Sequence, residues 1–207
     1  MPKAQATEPS ECTDRACARD RILAAANELF YREGIRAIGI DTVIEKAGVA
    51  KMSLYRAFPS KDDLIAAFLD MRDRLYWEWW DQVMSRHPHE PRQQLRALFQ
   101  ALAKRTSSPQ YRGCPFVNTS VEFPDPTHPG RAIIARHMAE LRRRLASLVE
   151  GIGAPQPSRL TDQLMLLMEG AYSTGNTMGA DGPSSAVADA AETLIESQFH
   201  ANRKSDP

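Results

Sequence analysis

Apolar residues recur every three or four positions along most of the chain, and no alternating apolar and polar run is long enough to demand a strand. Between Ala16 and Glu33 the stripe is Ile22, Leu23, Ala26, Leu29 and Phe30, and Gly34 stops it. A second stripe of Ile40, Val43, Ile44 and Ala47 ends at Gly48, which suits the left-handed geometry of a helix C-terminus. In the next short segment Leu54 and Phe58 share one face, while Lys51, Ser53, Tyr55 and Arg56 project elsewhere. Pro59 ends that segment, because its ring disfavours helical geometry at the residue before it. Two short helices joined by a tight turn, the second with a cationic outer face, can place one helix in the DNA major groove. Leu29 and Phe30 are expected to pack on Val43, Leu54 and Phe58, which makes Phe58 core rather than a DNA contact.

Ser60 to Asp63 reads as a capping box at the start of a long helix that runs from Lys61 through Leu64, Phe68, Met71 and Leu75 to Met84. Its distal part, Tyr76-Trp77-Glu78-Trp79-Trp80, holds all three tryptophans. They cannot share one face, so some line a cavity or an interface. Further helices follow around Leu95, Leu98, Phe99 and Leu102, from Pro115 through Val121, from Pro129 to about Gly151, from Ser158 onwards, and after Pro183. Small and apolar residues on more than one side of the last two helices call for a partner, which predicts a four-helix dimer interface. The fold class is all-α: an N-terminal three-helix helix-turn-helix DNA-binding domain plus a C-terminal helical ligand-binding and dimerisation domain. The expected boundaries are a mobile arm over 1–13, the DNA-binding domain over 14–60, the second domain over 61–200 and a tail over 201–207.

The segment AGVAKMSLYRAFPSKDDL resembles the helix-turn-helix signature of TetR-family transcriptional regulators: AGV at the turn, a hydroxyl residue followed by an aliphatic and Tyr, then Phe, Lys and Leu at fixed offsets. The resemblance implies that Ala50 to Phe58 is the recognition helix and that Tyr55 and Lys61 hold phosphates. It also places the dimer interface on the last two helices. Three positions depart from the pattern. Ala50 replaces a capping hydroxyl, at a cost of about 1 kcal/mol of local helix stability. Ala57 removes one expected phosphate contact, and Met52 stands where many members have Gly and can meet a thymine methyl. Lys51, Met52 and Arg56 are therefore the candidates for base edges, and Ser53, Tyr55 and Lys61 those for phosphates. Lys61 opposes the helix dipole, but a cation beside free amides is what a phosphate would meet.

The 207 residues are 43% hydrophobic and 25% charged, enough for a substantial core, and a formal charge of zero argues against binding nucleic acid by bulk charge. Cys12, Cys17 and Cys114 lack metal-ligand spacing; Cys12 and Cys17 read either as a redox pair or, preferred here, as two ordinary thiols in a reducing cytoplasm. The start, MPKAQATEPSECTDR, carries no apolar run, so neither a signal peptide nor a membrane span is expected. His87, His89 and Glu90 lack a spaced fourth metal ligand, Arg142 to Arg144 read as solvated or paired charges, and His137 as a hydrogen-bonded core residue.

Candidates for a ligand site are Trp77, Trp80, Phe99, Cys114, Asn118, Glu122, Met138, Met168 and Tyr172, with Met165 and Glu169 near them. Cys114, Asn118 and Glu122 are four apart and share one side of a short helix, either as a polar lining or as a capped turn with a solvated glutamate. Cys114 has no recognisable partner base, and no catalytic residue, metal or cofactor is expected. The reading that unites these features is a homodimeric repressor released from a double-stranded DNA operator by a small molecule. The alternative is a helical small-molecule-binding protein or enzyme that no longer binds DNA, which Ala50 and Ala57 keep open.

Overall fold

The computed structural model describes residues 14–201; the expected arm over 1–13, with Cys12, and the tail beyond residue 201 lie outside it. The described residues hold nine α-helices and no strand. The helices are α1 (Asp14–Glu33), α2 (Ile40–Ala47), α3 (Lys51–Ala57), α4 (Lys61–Met84), α5 (Pro91–Thr106), α6 (Pro115–Glu122), α7 (Pro129–Gly151), α8 (Pro157–Met178) and α9 (Val187–Ala201), with a 3-10 turn at Pro183–Ala186. Two compact units divide inside α4, between Phe68 and Leu69, whereas the expected boundary lay at the start of that helix. The reason is packing: Leu64, Ile65 and Phe68 are buried, and Phe68 meets Phe30 edge-on with ring centroids 5.6 Å apart.

In the first unit α1 packs against both α2 and α3. Ile22, Ala26, Phe30, Val43, Leu54 and Phe58 form its core, so Phe58 is buried as its spacing predicts. The capping box also forms. The Ser60 amide donates to Asp63 Oδ2 at 3.0 Å, and the Asp63 amide donates to Ser60 Oγ at 3.1 Å. Cys17, half-buried on α1, is disulfide-bonded, which corrects its reading as an ordinary thiol.

In the second unit α5 packs against α7, α8 and α9, and α8 also contacts α7 and α9. The buried stripe of α5, Leu95, Leu98, Phe99 and Leu102, shares this core with Leu145, Leu164, Met168 and Ile195. Arg142 pairs with Asp162 at 2.9 Å, Arg143 with Glu140 at 2.7 Å, and Arg144 with Asp81 at 2.6 Å. The arginine triplet therefore serves ion pairs, as expected from its spread around the helix.

At one point α5 and α8 approach too closely for any side chain. A Cβ on Gly175 would stand 2.6 Å from Thr106 Cβ and 3.0 Å from the Thr106 carbonyl oxygen. Since the obstacle includes backbone, relief requires the helices to separate. Gly175→Ala is therefore expected to lower the unfolding free energy by about 1–3 kcal/mol, read as a lower urea midpoint. An unchanged midpoint would refute the close approach.

Candidate functional site

The turn between α2 and α3 is built by backbone conformation and one long side chain. Gly48 ends α2 at φ 61° and ψ 45°, and its amide bonds back to the Glu45 carbonyl at 3.1 Å, while the Val49 amide reaches that of Ile44 at 3.3 Å. From α1, Arg21 donates through Nε and Nη2 to the Ala47 carbonyl at 3.0 and 2.7 Å, and through Nη2 to that of Gly48. A guanidinium thus meets the negative end of α2 and satisfies carbonyls that the helix leaves open.

α3 starts at Ala50 without a side-chain cap and ends where the Phe58 amide donates to the Leu54 carbonyl at 2.7 Å. Leu54 is fully buried, whereas Met52 is 63% exposed and Tyr55 40% exposed. Lys51 and Arg56 are also exposed and Ser53 is half-buried, so the inner and outer faces separate as the spacing requires. Lys51 pairs with Asp41 at 3.1 Å; this hydrogen bond, with the charge of Asp41, raises the lysine pKa. Lys61 is half-buried and donates to the carbonyls of Ile35 and Ile38 at 2.8 and 2.6 Å. Its ammonium ties the segment between α1 and α2 to the start of α4, a role that competes with phosphate binding.

The second unit contains a cavity of about 170 Å³ lined by Tyr76 of α4, Arg105 of α5, Tyr111, Cys114, Phe116 of α6 and Tyr172 of α8, with Arg72 and Leu75 also on its wall. The Tyr172 hydroxyl donates to the Tyr76 hydroxyl at 3.4 Å, and the Tyr111 hydroxyl donates to the Tyr172 carbonyl at 3.3 Å. The Arg105 guanidinium lies over the rings of Trp79 and Tyr76, 5.0 and 5.7 Å from their centroids. Burial raises the pKa of both Tyr76 and Tyr172, so both phenols stay protonated.

Behind Phe116 stands His137, buried and stacked on that ring at 3.7 Å between centroids. Asp73 Oδ1 lies 2.7 Å from His137 Nδ1 and also accepts from Trp77 Nε1 at 2.8 Å. Burial lowers the His137 pKa against the pull of Asp73, and the positive charges of Arg105 and Arg136 add to the lowering. This is the hydrogen-bonded core histidine that its spacing suggested.

Next to the cavity a recess of about 100 Å³ is lined by Cys114, Asn118, Glu169, Tyr172 and Asn176, among others. Asn118 Nδ2 donates to the Arg112 carbonyl at 2.8 Å, and Glu169 Oε1 is buried without a hydrogen-bond partner. Burial is also what raises the Glu169 pKa. It pushes the Cys114 thiol up to about 11, partly offset by the backbone of Val117 and Phe116 and by Arg105. A thiol that stays protonated at neutral pH is a poor nucleophile.

Of the ligand candidates read from sequence, Cys114 and Tyr172 line both spaces and Asn118 lines the recess, as does Glu169. The others do not line either one. Trp80, Phe99 and Met168 are buried in the core, because their stripes point at neighbouring helices. Trp77 is held by Asp73 and covered by Arg144, 4.3 Å from its ring centroid. Glu122 and Met138 are half-buried elsewhere. The residues missed were Tyr76, Arg105, Tyr111 and Phe116. Tyr76 was signalled by the aromatic run but stands one residue before the tryptophan chosen; Arg105 carried no signal. Among the described residues no group of three His, Cys, Asp or Glu could hold a metal ion, and no helix is long and apolar enough to cross a membrane.

Two family models match the chain: bacterial regulatory proteins, tetR family, over residues 22–68, and tetracyclin repressor-like, C-terminal domain, over residues 91–191. The TetR-family transcriptional regulator SCO4454 from Streptomyces coelicolor is 30% identical and superposes with a TM-score of 0.79, covering 90% of this chain and 96% of that one. The HTH-type transcriptional regulator YjdC of Escherichia coli is 24% identical over 155 residues, 75% of this chain and 81% of the relative. The HTH-type transcriptional activator FasR of Mycolicibacterium smegmatis is 43% identical over 51 residues, 25% of this chain and 23% of its own.

Replacing Arg21 by Met is expected to destabilise the first unit by about 1–2 kcal/mol and to speed amide hydrogen exchange at Gly48 and Val49, with Arg21→Lys in between. Unaltered exchange would show that the turn needs no cap. A second expectation concerns pH. Because folding lowers the His137 pKa below 6.5, the unfolded chain binds more protons between that lowered value and 6.5. The His137 contribution is therefore fully favourable above pH 6.5 and is lost as pH falls through that window, by at most about 1.4 kcal/mol per pH unit. Relative to His137→Phe, the wild-type protein should lose stability in urea titrations taken from pH 7 to 5; parallel curves would refute this.

Proposed function

This chain belongs to the tetR family of bacterial regulatory proteins, DNA-binding transcriptional regulators, and on that premise we propose that it is a homodimeric repressor released from its operator by a small molecule. The observation that carries the reading is the division of α3: Leu54 buried inside, with Lys51, Met52, Tyr55 and Arg56 exposed outside. Lys51, Met52 and Arg56 meet base edges, and Ser53 and Tyr55 meet phosphates. Lys51 exchanges its Asp41 partner for the duplex on binding. Lys61 is a phosphate contact only after its service to the Ile35 and Ile38 carbonyls, so its replacement acts on the fold first.

Dimerisation is assigned to α8 and α9. Leu166 and Met178 of α8 are 72% and 61% exposed, and Gly170, Ser173 and Thr177 leave a face of small exposed residues between them. Two copies joined there present two recognition helices to half-sites about 34 Å apart. The ligand occupies the cavity around Tyr76, Arg105 and Tyr172 and releases DNA by binding more tightly to the conformer with the wrong head spacing. Repression rather than the activation recorded in the name of FasR is supported by the tetracyclin repressor-like description of the C-terminal match. Such a protein acts where the DNA is, in the cytoplasm.

Titrating the purified protein against a labelled duplex from upstream of its own coding region, at several salt concentrations, tests this. The expected result is a specific complex with a steep salt slope, weakened about tenfold by Arg56→Ala and by Tyr55→Phe. A helical ligand-binding protein without DNA activity would give only weak, sequence-indifferent association, and that result would end the proposal. Sedimentation equilibrium should return a dimer, which Leu166→Glu converts to monomer.

A further inference from the structure

The cavity in the second unit has a size, a wall chemistry and a charge that together select a class of ligand. We propose that it takes a single-ring aromatic carboxylate, its ring between the aromatic walls and its carboxylate on the Arg105 guanidinium and a tyrosine hydroxyl. The inference rests on the effector reading above only for its consequence at DNA; the binding itself stands on the cavity.

Size comes first. A cavity of about 150 Å³ lined by apolar side chains holds benzene, so about 170 Å³ accommodates one ring with a small substituent. The walls are aromatic. Phe116, 1% exposed, is fixed by its stack on His137, and Tyr111 and Tyr172 lie stacked with centroids 6.4 Å apart.

Charge decides among single-ring compounds. Arg105 and Arg72 are on the lining and no carboxylate is. Arg105 lies over the Tyr76 and Trp79 ring faces and forms no salt bridge among the described residues. Glu169, the acid of the adjoining recess, is not its counter-ion: its pKa moves up through burial alone, with no lowering by a guanidinium. A cationic ligand would meet these arginines and find the Tyr76 and Trp79 faces already used. A neutral ring would leave the planar fork of donors unmet. An anion answers it with acceptors and with the opposite charge, in the stronger, charge-assisted kind of hydrogen bond.

The hydroxyls add a second donor. Tyr76 and Tyr172 share one hydrogen bond between two O–H groups, at 3.4 Å, so one phenolic hydrogen of this buried pair has no acceptor among the described residues. A carboxylate oxygen is the acceptor it lacks, and leaving such a donor unmet costs free energy.

Isothermal calorimetry on the full-length protein without DNA, using benzoate, benzamide and benzylamine as probes of equal size, tests the class. Benzoate should bind at least tenfold more tightly than benzamide, with benzylamine weakest. Arg105→Met should remove that preference and leave benzamide within about twofold, Arg105→Lys should keep part of it, and Tyr76→Phe should weaken benzoate more than benzamide; melting curves establish that each variant is folded. Equal binding of benzoate and benzamide, a preference that survives in folded Arg105→Met, or no binding of any of the three at millimolar concentration would overturn the proposal. Operator release is read separately: benzoate that binds with this discrimination but leaves a DNA complex intact sinks the effector reading, not the ligand class.

Discussion

The end of α2 is the point on which the rest of the DNA-facing unit depends. A helix that stops must leave its last carbonyls unbonded, and here the left-handed Gly48 and the Arg21 guanidinium dispose of them together. Without that closure the chain could not turn and restart a helix at Lys51. α3 has little means of holding itself: it is seven residues long, its Ala50 offers no capping oxygen, and isolated helices of that length do not persist in water. Its direction is therefore imposed from outside, by the α2 stop before it and by Leu54 and Phe58 sunk into the α1 core beneath it. Exposure of Met52 and Tyr55 follows from that anchoring and needs no separate cause.

This explains which parts of the molecule were legible in the sequence. Gly48, the Ser60–Asp63 box, the burial of Phe58 and the outward face of α3 are consequences of spacing within a few residues, and a linear pattern records such consequences directly. Arg21 was not legible. It acts on carbonyls 26 residues away, and nothing in its own neighbourhood distinguishes it from other arginines of α1. Lys61 was legible as a cation at a helix start, but not as a donor to the Ile35 and Ile38 carbonyls, which only the folded segment brings within reach.

The cavity was the least legible feature, for the same reason on a larger scale. Its walls come from α4, α5, α6 and α8, and Tyr76 and Tyr172 meet across 96 residues. Aromatic composition pointed to the turn of α4 that borders the cavity but not to the side chain that lines it, since one residue along a helix rotates the side chain by about 100°. Tyr76 faces the cavity, while Trp77 is claimed by Asp73. Apolar stripe residues such as Phe99 and Met168 lie off the cavity wall because a regular stripe marks the centre of a helix–helix contact. A pocket forms where regular packing breaks, and the irregular stretch from Ser107 to Cys114, which supplies Tyr111, is such a break.

The polar groups around that break favour the proposed binding site over a packing fault. A fault in a core is lined by apolar groups and costs only lost contacts. Here the wall holds a guanidinium facing aromatic rings, a phenol pair that shares a single hydrogen bond and, in the recess alongside, a carboxylate oxygen without a donor. Each would be cheaper to replace with an apolar side chain if stability were the only demand. Groups of this kind cost a fold stability when nothing answers them, and their presence on this wall is what supports the proposed ligand site. In the proposed function the same donors would supply the lever for control, because a ligand that satisfies them in only one conformer shifts the equilibrium by that difference in binding free energy.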